Sequence, residues 1–288
     1  MNSIAASGDT APPADKAGSG SALRSRVLSA LILAPLVLAG IVVGFPFFDI
    51  LVAAAAIAMA AEWRRLCVGR MLDPVGGVMI AGVVAGIGAV VLGYAPVAVL
   101  LVLSAAAIAG IVSALLGEDS RVFLGCGLGA ALVGGCGISL VWLRLLEPGG
   151  LPIIVWLVLA IWLTDICAFF SGRAVGGPKL APTISPNKTW AGLIGGVAAA
   201  AVWSVAWGSW QQVESLAALA LIGAGTAVLA QLGDLGVSMV KRRFGAKDSG
   251  SLIPGHGGLL DRMDGFIGAA PPVALAIAIN GFGGAPWL

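Results

Sequence analysis

The chain has 288 residues, of which 59% are hydrophobic and only 10% are charged, and its formal net charge is +2. Because a soluble domain carries about 25% charged residues, this composition excludes a soluble globular protein and predicts an integral membrane protein with many spans. The small net charge does not indicate nucleic-acid binding. The positions of the charges along the chain are more informative about function than their sum.

The first 26 residues differ in composition from the rest of the chain. They are rich in Ser, Ala, Gly and Pro and have no apolar periodicity, which predicts a disordered cytoplasmic tail over 1–26. A cleaved signal peptide is the alternative, because Arg24 and Arg26 precede an apolar run. That run continues to about residue 44, and its length favours a first membrane helix.

The rest of the chain is a succession of apolar segments, most of them near the length of about 20 residues that a membrane-spanning helix needs. Glycine pairs inside them, such as Gly125/Gly129 and Gly192/Gly196, favour close helix packing. The predicted fold is an all-α integral membrane protein, a polytopic helical bundle of about nine transmembrane helices. The predicted spans are about 27–44, 46–61, 75–92, 97–116, 122–143, 151–170, 190–210, 217–237 and 265–282.

Basic residues predict the orientation of this bundle. With nine spans, every Lys and Arg except Arg144 falls on the side of the N-terminus. Because cytoplasmic loops carry the excess of basic residues, the N-terminus is predicted to be inside and the C-terminus outside. Two long polar loops, 171–189 and 238–264, then lie in the cytoplasm, and long loops beside a compact bundle favour a functional role.

The first of these loops combines an acid with phosphate-binding groups. Asp165 lies near the end of the preceding apolar segment, where a carboxylate is costly unless it meets a polar cavity or a cation. The loop ends with PTISPNKTWAG, in which hydrogen-bond donors and a lysine directly precede a helix, an arrangement that favours phosphate. The candidate residues there are Ser185, Asn187, Lys188 and Thr189. The G-x-x-x-x-G-K-[ST] pattern of a P-loop is absent from the sequence.

Acids also flank the second loop. Asp234, Ser238 and Lys241 are spaced i, i+4 and i+7, so a continuous helix would place them on one face near the cytoplasmic surface. Asp234 indicates a metal, a cation or a polar cavity, and a structural Asp–Lys pair is the alternative. Asp261 and Asp264 are spaced i, i+3, as in pairs that bind hard cations such as Mg²⁺. Charges favoured by the macrodipole at a helix start are the alternative.

Between these acids lies IPGHGGLL, a glycine-rich turn with His256 at its centre. The backbone N–H groups of such a turn suit phosphate, and His256 either touches substrate or is structural. The surrounding basic residues, which either bind phosphates or only set the topology, are Lys241, Arg242, Arg243, Lys247 and Arg262. Acids for a metal and bases for phosphates at a membrane surface indicate phosphoryl or nucleotidyl transfer to a lipid phosphate.

The segment SMVKRRFGAKDSGSLIPGHGGLLDRMD, residues 238–264, resembles the signature of phosphatidate cytidylyltransferases, also called CDP-diacylglycerol synthases. The segments from Asp165 to Gly192 and around Asp234 are similar to the same family, so the resemblance covers the chain from about Asp165 onward. The first half matches only as a set of hydrophobic spans. We therefore expect N-terminal transmembrane helices over 27–150 and a C-terminal catalytic transmembrane region over 151–288.

The resemblance implies transfer of CMP from CTP to phosphatidic acid, which forms CDP-diacylglycerol and pyrophosphate with one or two Mg²⁺ ions as cofactor. It implies Asp234 and Asp261 as metal ligands. The catalytic residues that it implies are Lys241, Asp248, His256 and Asp264. The substrate-binding residues that it implies are Asp165, Ser185, Asn187, Lys188, Thr189, Ser238, Arg242, Lys247 and Arg262.

The expected partners are CTP, phosphatidic acid and the lipid bilayer, without nucleic acid, and a homodimer is an arrangement that the sequence allows. The expected location is the bacterial inner membrane, with the active site facing the cytoplasm. A CTP-dependent lipid kinase, which would transfer the γ-phosphoryl group with similar residues, is the main alternative. A secondary transporter would explain Asp165 and Asp234 but not the polar loop, and the D-G-x-x-A-R signature of CDP-alcohol phosphotransferases is absent from the sequence.

Overall fold

The computed structural model describes residues 34–250 and 257–280, so the predicted tail over 1–26 lies outside the described residues. Most of the described chain is helical, and one antiparallel hairpin of two short strands precedes the seventh helix. The helices are α1 (Ala34–Val43), α2 (Phe47–Val68), α3 (Pro74–Val91), α4 (Ala95–Leu115), α5 (Ser120–Leu145), α6 (Gly150–Val175), α7 (Trp190–Trp210), α8 (Leu216–Arg243) and α9 (Leu260–Asn280). The strands are β1 (Lys179–Ala181) and β2 (Ser185–Thr189).

Each predicted apolar segment contains a helix, and the seven helices α3 to α9 are long and apolar enough to cross a membrane. The predicted class, a mainly helical integral membrane protein, is therefore confirmed. The helix α1 is shorter, and residues 27–33 of its predicted span lie outside the described residues. The helix α2 has the length of a span but carries four charged residues, namely Asp49, Glu62, Arg64 and Arg65. That nine helices cross the membrane stays a prediction.

Three of the helices extend into the two loops that the sequence predicts. The helix α6 ends at Val175, and α8 ends at Arg243, six residues beyond its predicted span. Basic residues stand in the last turn of both helices, where the macrodipole favours positive charge. Because α9 begins at Leu260, the chain between α8 and α9 is limited to residues 244–259. We call it the signature loop.

The hairpin gives a folded structure to the first loop, which the sequence predicts only as a long polar loop. Lys179 pairs with Thr189, and Ala181 pairs with Ser185, so the loop between α6 and α7 is folded back on itself. The hairpin leads directly into α7, since β2 ends at the residue before Trp190. This arrangement fixes the direction in which the lysine-containing strand β2 approaches the bundle.

Polar side chains join the ends of several helices at one end of the bundle. Arg64, in the last turns of α2, donates hydrogen bonds to Asp73, which precedes α3, and to Glu118, which lies between α4 and α5. Glu62, also in α2, accepts a hydrogen bond from the backbone N–H of Leu260 at the start of α9. We call this end of the bundle, which gathers the ends of α2, α4 and α8, the ionic end.

The hairpin belongs to the ionic end as well. Arg242 Nε, in the last turn of α8, donates to the carbonyl oxygen of Ile184 in the hairpin turn at 3.3 Å. Arg144, the one exception in the sorting of basic residues, instead donates to the carbonyl oxygen of Ile41 near the end of α1. The structure thus separates Arg144 from the end that holds the polar loops, in agreement with the sequence pattern.

Glycines allow the helices of the bundle to approach closely, as the glycine pairs predict. A Cβ atom at Gly129 of α5 would collide with the indole ring of Trp63. A Cβ atom at Gly192 or Gly196 of α7 would lie 2.8 Å from a carbonyl oxygen of α6. These glycines are therefore explained by helix packing.

The crossing of α8 and α9 gives the first testable prediction. A Cβ atom at Gly233 would lie 2.7 Å from the Cα atom of Gly268 and would collide with the carbonyl oxygen of Asp264. Gly233→Ala should therefore force the two backbones apart and destabilise the protein by about 1–3 kcal/mol. Gly236→Ala, in the same helix with no atom within 4 Å of the added Cβ, is the matched control and should be neutral or slightly stabilising. Thermal unfolding in detergent measures both variants, and equal unfolding temperatures would contradict the prediction.

Candidate active site

Three carboxylates from three different helices act on one another electrostatically at the ionic end. Asp165 belongs to α6, Asp234 to α8 and Asp264 to the first turns of α9. Asp264 interacts electrostatically with both Asp234 and Asp165, and Asp165 interacts with Asp234. Because like charges at short range destabilise one another, this group needs cations nearby.

Lys188 supplies one of these cations. Its Nζ atom lies 2.6 Å from Asp234 Oδ2, and the two side chains keep 19% and 28% of their surface exposed. Ser238 Oγ donates a hydrogen bond of 3.2 Å to the other oxygen of Asp234, which confirms that Asp234 and Ser238 share a helix face. The lysine partner of Asp234 comes from the hairpin, so this ion pair joins the first predicted loop to α8.

Lys241 and Asp261 form the second ion pair. Lys241 Nζ donates to Asp261 Oδ1 at 2.6 Å, and both side chains are nearly buried. The other oxygen of Asp261 accepts hydrogen bonds from the backbone N–H groups of Ser249 at 3.0 Å and Gly258 at 3.2 Å. Asp261 therefore connects α8, both described flanks of the signature loop and α9.

The remaining hairpin residues have different environments. Thr189 is buried, and its Oγ1 atom accepts a hydrogen bond of 3.1 Å from the N–H of Gly192, so it caps α7. Ser185 lies at the start of β2 opposite Ala181, and Asn187 is exposed. The substrate-binding roles of these three residues stay predictions, while Lys188 is the hairpin residue that enters an ion pair at the site.

Five further candidates lie at the edge of the site or beyond the described residues. Lys247, Asp248 and Arg262 are exposed, and Arg262 acts electrostatically on Asp165. Arg242 is also exposed and donates to backbone carbonyl groups rather than to a carboxylate. His256 lies outside the described residues. The predicted roles of these residues stay predictions.

The helix α2 contributes a carboxylate that the sequence analysis does not select. Glu62 is fully buried and accepts hydrogen bonds from the backbone N–H groups of Leu259 at 3.0 Å and Leu260 at 2.8 Å. A signal for this residue exists in the sequence, because an acid at the end of an apolar run is costly unless it has a partner. The predicted span ends at residue 61, so Glu62 lies just outside the predicted membrane segment.

Arg64 contributes to the structure of the ionic end as well as to the sorting of basic residues. Its side chain is fully buried, and its Nε and Nη1 atoms donate hydrogen bonds of 2.9 Å to Asp73 Oδ2 and Glu118 Oε2. The hydrogen bonds from Arg64 lower the pKa of Glu118. For Asp73, burial acts to raise the pKa, but the hydrogen bonds from Arg64 outweigh it and the pKa is lowered. Both carboxylates are therefore ionised partners that fix the end of α2.

The lowered pKa of Glu118 predicts a pH-dependent contribution to stability. A carboxyl group with a lowered folded-state pKa stabilises the protein above its ordinary pKa and loses that effect as the pH falls through the folded-state value. Glu118→Gln should therefore lower the unfolding temperature at neutral pH. The difference from the unaltered protein should narrow once the pH falls below the ordinary carboxyl pKa of 4.5. Unfolding scans in detergent over this range measure it, and a difference independent of pH would contradict the role of the ionised carboxylate.

The donor set at the ionic end fits a hard cation in its chemistry. Carboxylate oxygens are the protein ligands that Mg²⁺ prefers, and Asp165, Asp234 and Asp264 act on one another across three helices. Within residues 34–250 and 257–280, no three His, Cys, Asp or Glu side chains are arranged as a group that could hold a metal ion. Lys188 and Lys241 instead neutralise the nearest carboxylates.

The fold and the site together define an integral membrane protein that gathers carboxylates and lysines where its helices end. A model of the Cytidylyltransferase family matches residues 24–280, and the chain belongs to this family.

Several curated relatives share the name phosphatidate cytidylyltransferase. The relative from Pseudomonas aeruginosa is 36% identical over 278 residues, which cover 91% of this chain and 99% of the relative. The relative from Brucella suis is 51% identical over 149 residues, or 49% of this chain and 53% of the relative. The relative from Bacillus subtilis is 40% identical over 156 residues, which cover 53% of this chain and 57% of the relative. The alignments with the latter two thus span little more than half of each relative.

Proposed function

We propose that this protein transfers CMP from CTP to phosphatidic acid and forms CDP-diacylglycerol and pyrophosphate. The observation that carries the proposal is the pair of lysine–carboxylate contacts at the ionic end, Lys188–Asp234 and Lys241–Asp261, in a chain of the Cytidylyltransferase family. The relatives named phosphatidate cytidylyltransferase support the choice of substrates.

The reaction needs a site that brings two anions together. An oxygen of the phosphatidate phosphate forms a bond to the α-phosphorus of CTP, while the bond from that phosphorus to the β-phosphate oxygen breaks and pyrophosphate leaves. The second pKa of a phosphate monoester is about 6, so the attacking phosphate is already ionised near neutral pH and needs no general base. The protein's task is to position both substrates and to neutralise the developing charge.

We propose that Lys188 and Lys241 perform this task. Each ammonium group is held by one carboxylate within 2.6 Å, so its position is fixed before a substrate arrives. The side chain of Lys188 keeps 19% of its surface exposed, but its Nζ atom is buried beside Asp234, so a phosphate oxygen would reach it only as the side chain moves. Arg262, at the first turn of α9, adds a third positive charge on the exposed side. We assign the phosphates of CTP and phosphatidate to these three residues.

We propose that Mg²⁺ is held by Asp234 together with Asp264 and Asp165, which act on one another electrostatically. Because the three carboxylates are not arranged as a metal-binding group in the described residues and Lys188 pairs with Asp234, binding would require Lys188 to leave Asp234 and the three side chains to move together. When bound, Mg²⁺ would screen the phosphate charges and stabilise the leaving pyrophosphate. Asp261, which the resemblance implies as a ligand, already receives Lys241 and two backbone N–H groups. We therefore assign Asp261 to orienting Lys241 and the signature loop.

The proposed function is tested by identifying the product. Purified protein in detergent, supplied with CTP, phosphatidic acid and Mg²⁺, should form CDP-diacylglycerol that mass spectrometry detects. Exhaustive chelation with EDTA should abolish the product, and Mg²⁺ should restore it. A folded protein that forms no CDP-diacylglycerol would contradict the proposed activity, and full activity after chelation would contradict the metal site.

We further propose that the protein lies in the bacterial inner membrane with the ionic end facing the cytoplasm, where CTP is available. Thr183→Cys in the hairpin turn and Gln212→Cys between α7 and α8 are exposed positions at opposite ends of α7. On a background without native cysteines, a membrane-impermeant thiol reagent added to intact cells should label Gln212→Cys and spare Thr183→Cys. The reverse pattern would contradict the orientation.

A further inference from the structure

The buried carboxylate of Glu62 lies where the signature loop meets α9. Its side chain has no exposed surface, and it comes from α2, far from the loop in the sequence. Glu62 Oε2 accepts hydrogen bonds from Leu260 N–H at 2.8 Å and from Ser249 Oγ at 3.2 Å. Oε1 accepts from Leu259 N–H at 3.0 Å. One carboxylate therefore holds both described flanks of the loop.

The residue that precedes α9 cannot cap the helix, and Glu62 of α2 caps it instead. The first N–H groups of a helix have no partner within the helix, and a polar side chain at the preceding residue usually accepts from them. That residue is Leu259, whose side chain has no acceptor. Glu62 accepts from the N–H groups at this position, and its negative charge also complements the positive end of the helix macrodipole.

Two glycines of the signature loop allow the carboxylate to approach this closely. A Cβ atom at Gly250 would lie 2.8 Å from Glu62 Oε1, and one at Gly258 would lie 2.6 Å from Glu62 Oε2. A side chain at either position would therefore push the loop away from α2. Gly250 and Gly258 serve this contact in addition to any contact with phosphate.

Glu62 itself is rigidly held. The neighbouring Trp63 donates a hydrogen bond of 2.8 Å from its indole N–H to the carbonyl oxygen of Gly125 in α5. Arg64 joins the same part of α2 to Asp73 and Glu118. Three consecutive buried side chains thus fasten α2 to the bundle and present the Glu62 carboxylate at a fixed position.

We propose that Glu62 is a positioning residue that sets the location of Asp261 and Asp264 by fixing the start of α9. Asp261 follows the capped residue Leu260 directly and accepts from Ser249 and Gly258, the same loop segments that contact Glu62. Asp264 lies one helical turn further along α9. This proposal rests on the proposed function only where turnover is measured. The hydrogen-exchange measurement needs no substrate.

Glu62→Gln tests the proposal, because the variant keeps the size of the side chain but replaces one acceptor oxygen with a donor facing the Leu260 N–H. Turnover should fall by about tenfold to a hundredfold, as for groups that orient the residues of a site, while the KM values for CTP and phosphatidate stay unchanged. Backbone amide hydrogen exchange over residues 257–263 should become faster. Asp49→Asn, a buried carboxylate of the same helix far from the ionic end, is the control and should change neither measurement.

Each outcome decides for or against the proposal. Lower turnover with unchanged KM and faster exchange supports it. Normal turnover of the folded variant overturns it, even if the unfolding temperature falls, because Glu62 would then only stabilise the fold. If Glu62→Gln does not fold, Ser249→Ala removes one of the three donors and should show the same pattern at several-fold magnitude. If the unaltered protein forms no CDP-diacylglycerol, the proposed function fails, and unchanged exchange over 257–263 would separately overturn the positioning role.

Discussion

Asp234→Asn should lower the turnover of phosphatidic acid to CDP-diacylglycerol by at least about a hundredfold, the cost of removing one preorganised charged contact from a reaction site. Asp234 interacts with several groups of the site. It pairs with Lys188, accepts from Ser238 and acts on both Asp165 and Asp264. Asparagine keeps the size and one acceptor oxygen, but it can neither fix the ammonium group of Lys188 nor supply the charge that Mg²⁺ needs.

Two control variants separate the charge of Asp234 from other effects. Ser238→Ala removes the neutral hydrogen bond to Asp234 and should lower turnover only a few-fold, because the ion pair remains. Glu214→Gln removes an exposed carboxylate between α7 and α8, away from the ionic end, and should leave turnover unchanged. Steady-state turnover at saturating CTP and Mg²⁺, with folding checked in detergent, measures all three. Near-normal turnover in Asp234→Asn would show that the Lys188–Asp234 pair is structural.

Asp261→Asn should damage both stability and turnover, and a second substitution should separate the two effects. Lys241 and Asp261 keep only 11% and 13% of their side-chain surfaces exposed. Removing one partner leaves a nearly buried ammonium group without its counter-charge, which costs about 3 kcal/mol, at the lower end of the range for buried pairs. The double variant Asp261→Asn/Lys241→Met removes the uncompensated charge and should recover most of the unfolding temperature.

Turnover should not recover in this double variant, because the ammonium group that we assign to phosphate is then absent. Unfolding in detergent and turnover, measured for both single variants and the double variant, form a double-mutant cycle. Recovery of turnover together with stability would show that the Lys241–Asp261 pair only holds the fold together. The assignment of phosphate contacts would then rest on Lys188 and Arg262.

Much of the fold could be predicted because hydrophobic segments of span length have few alternatives in a membrane. The helix α7 has the bounds that the sequence predicts, and α3 and α4 differ from their predictions by one or two residues. The predicted spans for α2, α6 and α8 stop before the charged residues that follow them, five to seven residues before the helices end. In the structure those charges continue the helices, either because they are basic residues in a last turn or because partners bury them.

The sequence indicates candidate residues for the site but only part of their pairing. Sequence spacing correctly places Asp234 and Ser238 on one face, because that relation depends only on the helical repeat. It cannot show that Lys188 reaches Asp234, or that Glu62 reaches Leu260, because these contacts depend on how distant segments pack. The hairpin that carries Lys188 is equally non-local, since it forms from two short strands without an apolar alternation.

The most direct test of CMP transfer to phosphatidic acid is to follow the individual phosphates of CTP into the products. Purified protein is incubated with phosphatidic acid, Mg²⁺ and CTP labelled at either the α- or the γ-phosphorus, with Asp234→Asn in parallel. We predict that the α-label enters the lipid as CDP-diacylglycerol, that the γ-label leaves as pyrophosphate, and that Asp234→Asn suppresses both. A γ-label in the lipid would identify a CTP-dependent kinase, and a lipid without either label would contradict transfer chemistry at the ionic end.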